Sequence, residues 1–243
     1  MSYYQRAYNP GGDLEPEINQ HISILYFYIG DYAKSLKYLN NAISLRTECD
    51  LFISYSYVLS AQKKYAEALK YLDSTCNLNV CEQSCDIMRF NIYTELKDSK
   101  KAEKCYNQAV NSGYRRTVDD DLFIGYLYNE TGRKKEASSI LYNYIKRIEK
   151  LFNNRMDWQS VNGLRLSAAY AIIGDNQKAL DYIKYYQPNV EMLLVFFNPK
   201  TFPGFDSLRN DPEFTGILKR LEDEKTANRN IIKEMEEQGE IRF

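Results

Sequence analysis

The sequence is poor in the residues that most enzyme and metal sites require. It has one histidine, His21, and one tryptophan, Trp158, among 243 residues. Its cysteines form no CxxC pair, and neither a GxxxxGK[ST] loop nor a GxGxxG loop occurs. A Ser–His–acid triad would have to use His21, which has no nucleophile motif nearby. These absences argue against an enzyme, and the sequence indicates no catalytic residue, no metal ligand and no cofactor.

Long apolar runs and excess charge of one sign are also missing. No stretch of about 18 apolar residues occurs, so no membrane span is expected. The polar N-terminus lacks the apolar core of a signal peptide. A formal net charge of −1 indicates no general affinity for nucleic acid. Six prolines and eleven glycines argue against a disordered chain.

The cysteines are odd in number and follow no disulfide-framework spacing. They are Cys49, Cys76, Cys81, Cys85 and Cys105. The interpretation is that they are free thiols packed in helices or in their connections. Free thiols predict a reducing compartment. The absence of a signal peptide favours a cytoplasmic location. A longer parent protein with further domains stays open.

A repeat is the strongest pattern that is present. Turn positions occur at intervals of 33, 34, 35 and 42 residues, at Gly30, Lys63, Lys97, Gly132 and Gly174. Four residues before each turn stands a large side chain, at Tyr26, Leu59, Tyr93, Tyr128 and Tyr170. Five residues after each turn stands a small one, at Ser35, Ala68, Ala102, Ala137 and Ala179. A period in the mid-thirties with this pattern predicts an array of helical hairpins.

Each repeated position has a physical reason. Glycine tolerates the positive φ of a tight turn, so Lys63 and Lys97 require another conformation or a small strain cost. The small residue lets the second helix cross close to the first, and the large residue fills the wedge between them. Neither helix is long enough to be stable alone, so the hairpins stabilise one another.

These residues resemble the tetratricopeptide repeat family, whose pattern runs W-x2-L-G-x2-Y, then Ala, an aromatic and Pro. The fourth repeat matches best, with Ile124-Gly125, Tyr128, Gly132, Ala137 and Leu141. The early Trp is absent throughout and the closing Pro is mostly missing. The resemblance implies an all-α fold, a right-handed α-α superhelix of about five helix-turn-helix repeats with C-terminal capping helices.

The repeats set the expected domain boundaries. Residues 1–15 form a lead-in and residues 16–189 form the array. The repeats lie near 16–48, 49–82, 83–117, 118–159 and 160–189. The second helix of the fourth pair is expected to run long, from Lys134 to Asn153, with Trp158 sealing the junction that follows. Residues 190–243 form a cap and a long amphipathic helix.

The tail carries a second resemblance. Phe205-x2-Leu208-Arg209-x-Asp211-Pro212-x-Phe214 is similar to the segment that closes many bacterial tetratricopeptide regulatory and fusion proteins. The apolar run at 192–197 predicts a buried helix, and Arg209 is expected to pair with Asp206 or Asp211. Asp211-Pro212 starts a last helix that reaches about Gln238, which packs back on the cap or binds a partner.

The family resemblance implies a concave face lined by the first helix of each pair. Counting back from the turns gives the candidate partner-binding residues Tyr28, Tyr57, Met88, Asn91, Glu95, Phe123, Tyr126, Glu130 and Arg165. This mixed aromatic and acidic groove suits a peptide with apolar anchors and some positive charge. It lacks the basic cluster of the members that grip C-terminal carboxylates, so no such clamp is expected.

The sequence therefore predicts a non-catalytic scaffold that binds a protein or peptide in the concave groove, in a bacterial regulatory protein. Two alternatives stay open, a ligand- or peptide-sensing regulator and a self-associating structural module. The oligomeric state is open as well. Asp119-Asp120-Asp121 suggests a cation site, but acids at a helix start are more simply explained by the helix dipole.

Overall fold

The predicted helical hairpins are present in the computed structural model, which describes residues 16–76, 81–154, 159–187 and 197–240. The fold is all-α in this part of the chain. The first two pairs are α1 (Pro16–Tyr28) with α2 (Tyr32–Leu45) and α3 (Cys49–Ala61) with α4 (Tyr65–Thr75). The next pairs are α5 (Glu82–Glu95) with α6 (Ser99–Asn111), α7 (Val118–Glu130) with α8 (Lys134–Asn154) and α9 (Gln159–Ile173) with α10 (Asn176–Ile183). A 3-10 helix (Pro203–Leu208) and α11 (Pro212–Glu237) follow.

All the predicted turn residues adopt positive φ. Gly30, Gly132 and Gly174 have φ of 77°, 80° and 87°. Lys63 and Lys97 adopt the same left-handed conformation, with φ of 61° and 58°. In every turn the next residue's N–H donates to the carbonyl of the large residue four positions before the turn, at 2.8–3.0 Å. This hydrogen bond closes each first helix in the same way, and the two lysines bear the strain that glycine avoids.

The small residues after each turn lie where the paired helices cross. None of these five side chains is more than 2% exposed, as the spacing predicts; they are Ser35, Ala68, Ala102, Ala137 and Ala179. Gly125 marks the closest crossing, because a Cβ there would lie 2.5 Å from Leu141 Cδ2. The 21-residue length of α8 confirms the predicted long second helix of the fourth pair. Trp158 and residues 192–196 lie outside the described residues.

The chain divides into two compact units. The first unit contains residues up to Cys81 together with those from Asp223 onward. It holds α1 to α4 and the end of α11, packed around residues such as Tyr26, Tyr38, Leu39 and Leu51. The second unit, Glu82–Glu222, holds α5 to α10 and the start of α11. Its single core runs from Phe90 to Leu221.

The expectation of free thiols is wrong for at least one cysteine pair. A disulfide joins Cys49 to Cys81 within the first unit, with Cα atoms 5.3 Å apart. Cys76 and Cys85 are disulfide-bonded as well. The sulfurs meet because α3 and α4 fold back on each other and return residue 81 to the start of α3. Sequence spacing alone carries no sign of this approach, since the hairpin geometry creates it.

The start of α11 is capped as the sequence predicts. Asp211 Oδ1 accepts hydrogen bonds from the backbone N–H groups of Glu213 at 2.8 Å and Phe214 at 3.1 Å. Arg209 Nε lies 3.7 Å from Asp206 Oδ1, which confirms one of its two expected partners. The guanidinium also donates to backbone carbonyls, so its role here is structural.

Candidate functional site

The first helices of the second unit share one face, and the chain's own residues 197–208 lie on it. The Phe202 ring centroid is 5.1 Å from that of Phe123 and 5.8 Å from that of Tyr126, both on α7. The Phe197 ring lies 6.1 Å from Phe123. We call residues 197–208 the inner segment. Along these contacts, the chain itself covers the helix face that the family resemblance assigns to a partner.

Polar contacts hold the inner segment beside α5. Thr201 Oγ1 donates to Glu95 Oε1 at 3.0 Å, and Lys97 Nζ lies 2.6 Å from Asp206 Oδ2. The Lys97 and Asp206 side chains are 59% and 45% exposed, so this ion pair contributes at most about 1 kcal/mol. Most of the attachment therefore comes from the buried aromatic rings.

Gly204 marks a close approach of the inner segment to α9. A Cβ on Gly204 would lie 3.1 Å from Ile172 Cγ1 and would collide with the Phe202 ring. Arg209 fixes the segment's own bend, because it donates to the carbonyls of Pro199 at 2.5 Å and Phe202 at 2.7 Å. The bend turns Phe202 and Phe205 into the core, where both are fully buried.

Of the predicted partner-binding residues of the second unit, Glu95, Phe123 and Tyr126 contact this segment. Met88, Phe123, Tyr126, Asn91 and Arg165 are all buried. Glu95 is half-buried and Glu130 is exposed. Burial raises the pKa of the Tyr126 hydroxyl above its ordinary value, and nearby Glu130 adds to the effect.

Arg165 is held by a carboxylate of the neighbouring first helix. Its Nε and Nη2 donate to the two oxygens of Asp119 at 2.7 and 2.6 Å. Burial alone would lower the pKa of the guanidinium, but the charge of Asp119, its hydrogen bonds and a smaller effect of Tyr144 together outweigh burial and raise the pKa. This bidentate pair joins α9 to α7. Its two side chains are only 10% and 14% exposed, so the pair is largely shielded from solvent.

The three acids at the start of α7 all have structural partners. Asp120 accepts from the backbone N–H of Thr117 at 2.6 Å and closes a capping box. Asp121 pairs with Arg147 at 2.7 Å, and Asp119 is bound to Arg165. In the part of the chain that the structure describes, no group of three potential ligands stands close enough to hold a metal ion.

Two buried polar atoms in the second unit are candidates for further contacts. The Asn91 side-chain oxygen and the Tyr144 hydroxyl have no hydrogen-bond partner among the described residues. Asn91 is 8% exposed and lies on α5, one turn before Glu95. A buried acceptor without a hydrogen bond costs free energy. A donor placed beside the Asn91 side-chain oxygen would therefore bind favourably.

The first unit carries the two remaining predicted residues. Tyr28 ends α1 and Tyr57 lies on α3, and both are half-buried. The Phe27 ring lies 6.1 Å from Tyr28 and 5.3 Å from Tyr57. The three rings therefore form one aromatic surface across two first helices. This surface is the counterpart, in the first unit, of the aromatic face under the inner segment.

A separate open cavity of about 710 Å³ lies at the α9–α10 turn of the second unit. Its lining includes Tyr142 and Glu149 from α8 together with Tyr170, Gly174 and Lys178. The Glu149 carboxylate accepts a hydrogen bond from the Tyr170 hydroxyl at 2.7 Å.

A family model described as tetratricopeptide repeat matches residues 16–49 and 91–112. The first match covers α1 and α2, and the second covers the end of α5 and all of α6. The same turn hydrogen bond and buried small residue recur in the other hairpins. The chain contains tetratricopeptide repeats. Such repeats generally mediate protein–protein interactions and are typically non-catalytic.

No curated protein matches this tetratricopeptide-repeat chain. None of the helices within the described ranges is both long and apolar enough to cross a membrane.

The sequence did not predict that residues 197–208 of this tetratricopeptide-repeat protein lie on a helix face. The available signal was the phenylalanine spacing at Phe197, Phe202 and Phe205, with two prolines between them. Because its prolines prevent a continuous α-helix, this aromatic-rich segment is suited to pack its rings across a helix face. The phenylalanine spacing indicates that the segment packs against helices, but it does not indicate on which face the segment packs.

Proposed function

We propose that this tetratricopeptide-repeat protein is a non-catalytic scaffold that binds a short segment of a partner protein, in a turn or 3-10 conformation, on its inner helix face. The observation that carries the proposal is the inner segment, which already lies on this face as a peptide ligand would. Its Phe202 ring contacts Phe123 and Tyr126, and Thr201 donates to Glu95. The face therefore has the chemistry to hold a short segment in a turn or 3-10 conformation.

The inner segment indicates the kind of ligand that this face accepts. It presents a hydroxyl donor at Thr201, an aromatic ring at Phe202 and a carboxylate at Asp206, where Lys97 pairs with it. Asn91 adds a buried acceptor for a ligand N–H group. We propose that the partner segment carries an aromatic anchor with a hydroxyl residue before it and an acid four residues later.

The aromatic surface of Tyr28 and Tyr57 belongs to the same proposal. Aromatic side chains with polar ends are favoured at protein interfaces, because they bury much apolar area at little cost in conformational entropy. The resemblance of the tail to closing segments of bacterial regulatory proteins supports a regulatory setting for such binding.

A peptide of residues 197–209 tests the proposal on the full chain. Phe202→Ala removes the ring that the chain's own segment places against Phe123 and Tyr126. Fluorescence anisotropy should then show that the labelled peptide binds the Phe202→Ala chain at least tenfold more tightly than the wild type. A peptide with alanine in place of that phenylalanine should not bind.

Matched variants separate the groove from general damage. Adding Glu95→Gln to the Phe202→Ala chain should weaken peptide binding, because the Thr201 hydroxyl loses a charged acceptor. Adding Tyr142→Ala, on a residue 61% exposed and away from this face, should leave binding unchanged. Circular dichroism checks that each variant is folded. Equal binding to wild type and Phe202→Ala, or no effect of Glu95→Gln, contradicts the groove proposal.

The disulfide alters the expected compartment. The expectation of a reducing compartment rested on free thiols, and the Cys49–Cys81 bond removes that basis. Because disulfides persist mainly in oxidising environments, we propose that the protein acts in an oxidising compartment. Alkylation of free thiols at the moment of lysis, followed by mass spectrometry, should recover the linked peptides; alkylated Cys49 and Cys81 would contradict it.

A further inference from the structure

A cluster of aromatic and charged side chains joins the C-terminal helix to the first hairpin of the first unit. The Tyr26 hydroxyl donates to the Glu236 carboxylate, and Lys34 Nζ lies 2.5 Å from its other oxygen. The Tyr38 ring stacks on Tyr26 at 5.5 Å with 4° between the planes. Lys34 Nζ also stands 4.9 Å from the Tyr26 ring centroid. Two rings and one ammonium group thus form a receptor for a carboxylate.

The second unit contains the same cluster. The Tyr170 hydroxyl donates to Glu149 at 2.7 Å, and the Tyr182 ring stacks on Tyr170 at 5.5 Å with 4° between the planes. Lys178 Nζ stands 4.9 Å from the Tyr170 ring centroid. Both receiving hairpins share the pattern Tyr-x3-Gly-Asp-x2-Lys-x3-Tyr. The two copies therefore arise from one arrangement of residues on the repeat.

The helices that supply the glutamates also match each other. Both carry the pattern Ile-Lys-x2-Glu, as Ile145, Lys146 and Glu149 on α8 and as Ile232, Lys233 and Glu236 on α11. Ile145 is buried in the core of the second unit, and Ile232 packs against the Ile22, Tyr26 and Tyr38 cluster of the first. Within its own unit, each helix meets its hairpin through an apolar contact and a carboxylate one turn apart.

The two helices that supply the glutamates, α8 and α11, differ in how firmly they are attached to their hairpins. On α8, Tyr144, Ile145 and Ile148 are at most 5% exposed. The buried residues of α11 are Phe214, Ile217 and Leu221, all before the first-unit part of the helix begins at Asp223. In that part Ile232 and Glu236 are only half-buried, and Ile231 is 53% exposed. Partly exposed ion pairs add little, so the C-terminal helix is weakly held.

Electrostatics favour a carboxylate in this place. Burial by itself would raise the pKa of Glu236, but the hydrogen bonds from Lys34 and Tyr26 outweigh it and lower the pKa. Seven residues before Glu236, Arg229 Nη1 donates to the Gly30 carbonyl at 3.4 Å. The residue at the same position on α8 is Tyr142, which carries no guanidinium. Gly174 is the turn glycine that corresponds to Gly30, and a Cβ atom added to it would have no neighbour within 4 Å. The first hairpin thus also has a place for a guanidinium.

We propose that the first hairpin is a docking site for a partner helix with the pattern Arg-x2-Ile-Lys-x2-Glu, which the chain's own C-terminal helix fills in the absence of that partner. The glutamate of the partner binds Lys34 and Tyr26, its isoleucine packs on Tyr38, and its arginine reaches the Gly30 carbonyl. A partner helix with a larger apolar face displaces the weakly held residues 223–237. This site is distinct from the inner helix face of the proposed function.

A labelled peptide of residues 223–240 tests the site on the full chain. Glu236→Lys places like charges together at Lys34 and releases the chain's own helix. Fluorescence anisotropy should show at least tenfold tighter binding of the peptide to the Glu236→Lys chain than to the wild type. A peptide with glutamine at position 236 should bind at least tenfold more weakly than the unmodified peptide.

Charge reversal supplies the control. Adding Lys34→Glu to the Glu236→Lys chain should abolish peptide binding, whereas adding Lys178→Glu in the second unit should leave it unchanged. Binding that is insensitive to Lys34→Glu, or equal for wild type and Glu236→Lys, overturns the proposal. A wild-type dimer in light scattering that Glu236→Lys abolishes also overturns it, because two copies would then exchange their C-terminal helices.

Discussion

Removing the Cys49–Cys81 disulfide should destabilise the second hairpin far more than a typical point mutation does. The bond spans 32 residues. In the chain-entropy model, closing a loop of that length in the unfolded chain stabilises the folded state by about 3.7 kcal/mol. The estimate depends only on loop length. Both serine side chains of a Cys49→Ser/Cys81→Ser variant fit the space of the sulfurs, so little further packing energy is lost.

Hydrogen exchange is the suitable measurement, because it reports on α3 and α4 separately from the second unit. Amides of these helices that exchange through opening of the hairpin should lose roughly 400-fold in protection, which corresponds to that free energy. Cys105→Ser in the second unit is the matched control, since Cys105 is buried on α6 and lies outside the closed loop. It should leave exchange in α3 and α4 unchanged.

Two results would refute this reasoning. The first is a non-reducing peptide map that contains Cys49 and Cys81 unlinked. The second is a double-serine variant whose α3 and α4 amides keep their protection to within tenfold. In that case, packing of the hairpin against its neighbours rather than loop closure would set the stability of this part of the chain.

Two further substitutions test the packing. Lys63→Gly should raise the free energy of unfolding by about 0.5 kcal/mol, because relief of left-handed strain of about 1–2 kcal/mol exceeds the extra unfolded-state entropy of glycine; Lys64→Gly, at negative φ, should lower it. Arg165→Ala should cost about 3–5 kcal/mol in a urea titration, because it leaves the Asp119 carboxylate buried without its partner. Adding Asp119→Ala should recover much of that loss.

Each of these has a contradicting outcome. Equal effects of the two lysine substitutions would mean that the turn conformation is unstrained. A double Arg165→Ala/Asp119→Ala variant less stable than Arg165→Ala would mean that the carboxylate is stabilised by groups other than the guanidinium.

The sequence by itself determined the hairpins. The spacing of Tyr26, Gly30 and Ser35 and its later copies predicted the helix pairs, the turn residues and the buried crossings. This was possible because each of these features depends on residues a few positions apart and on the neighbouring helix. Even the odd turns at Lys63 and Lys97 follow the frame, since the turn hydrogen bond fixes the backbone whichever side chain is present.

The tertiary structure alone decided which surfaces are covered. Thr201 meets Glu95 across 106 positions, and Glu236 meets Tyr26 across 210. The disulfide between Cys49 and Cys81 depends likewise on how a hairpin returns. Each of these contacts occurs once and is not repeated from one hairpin to the next, so no sequence pattern predicts it. They follow from the faces that the packed hairpins leave open, and those faces exist only once the chain has folded.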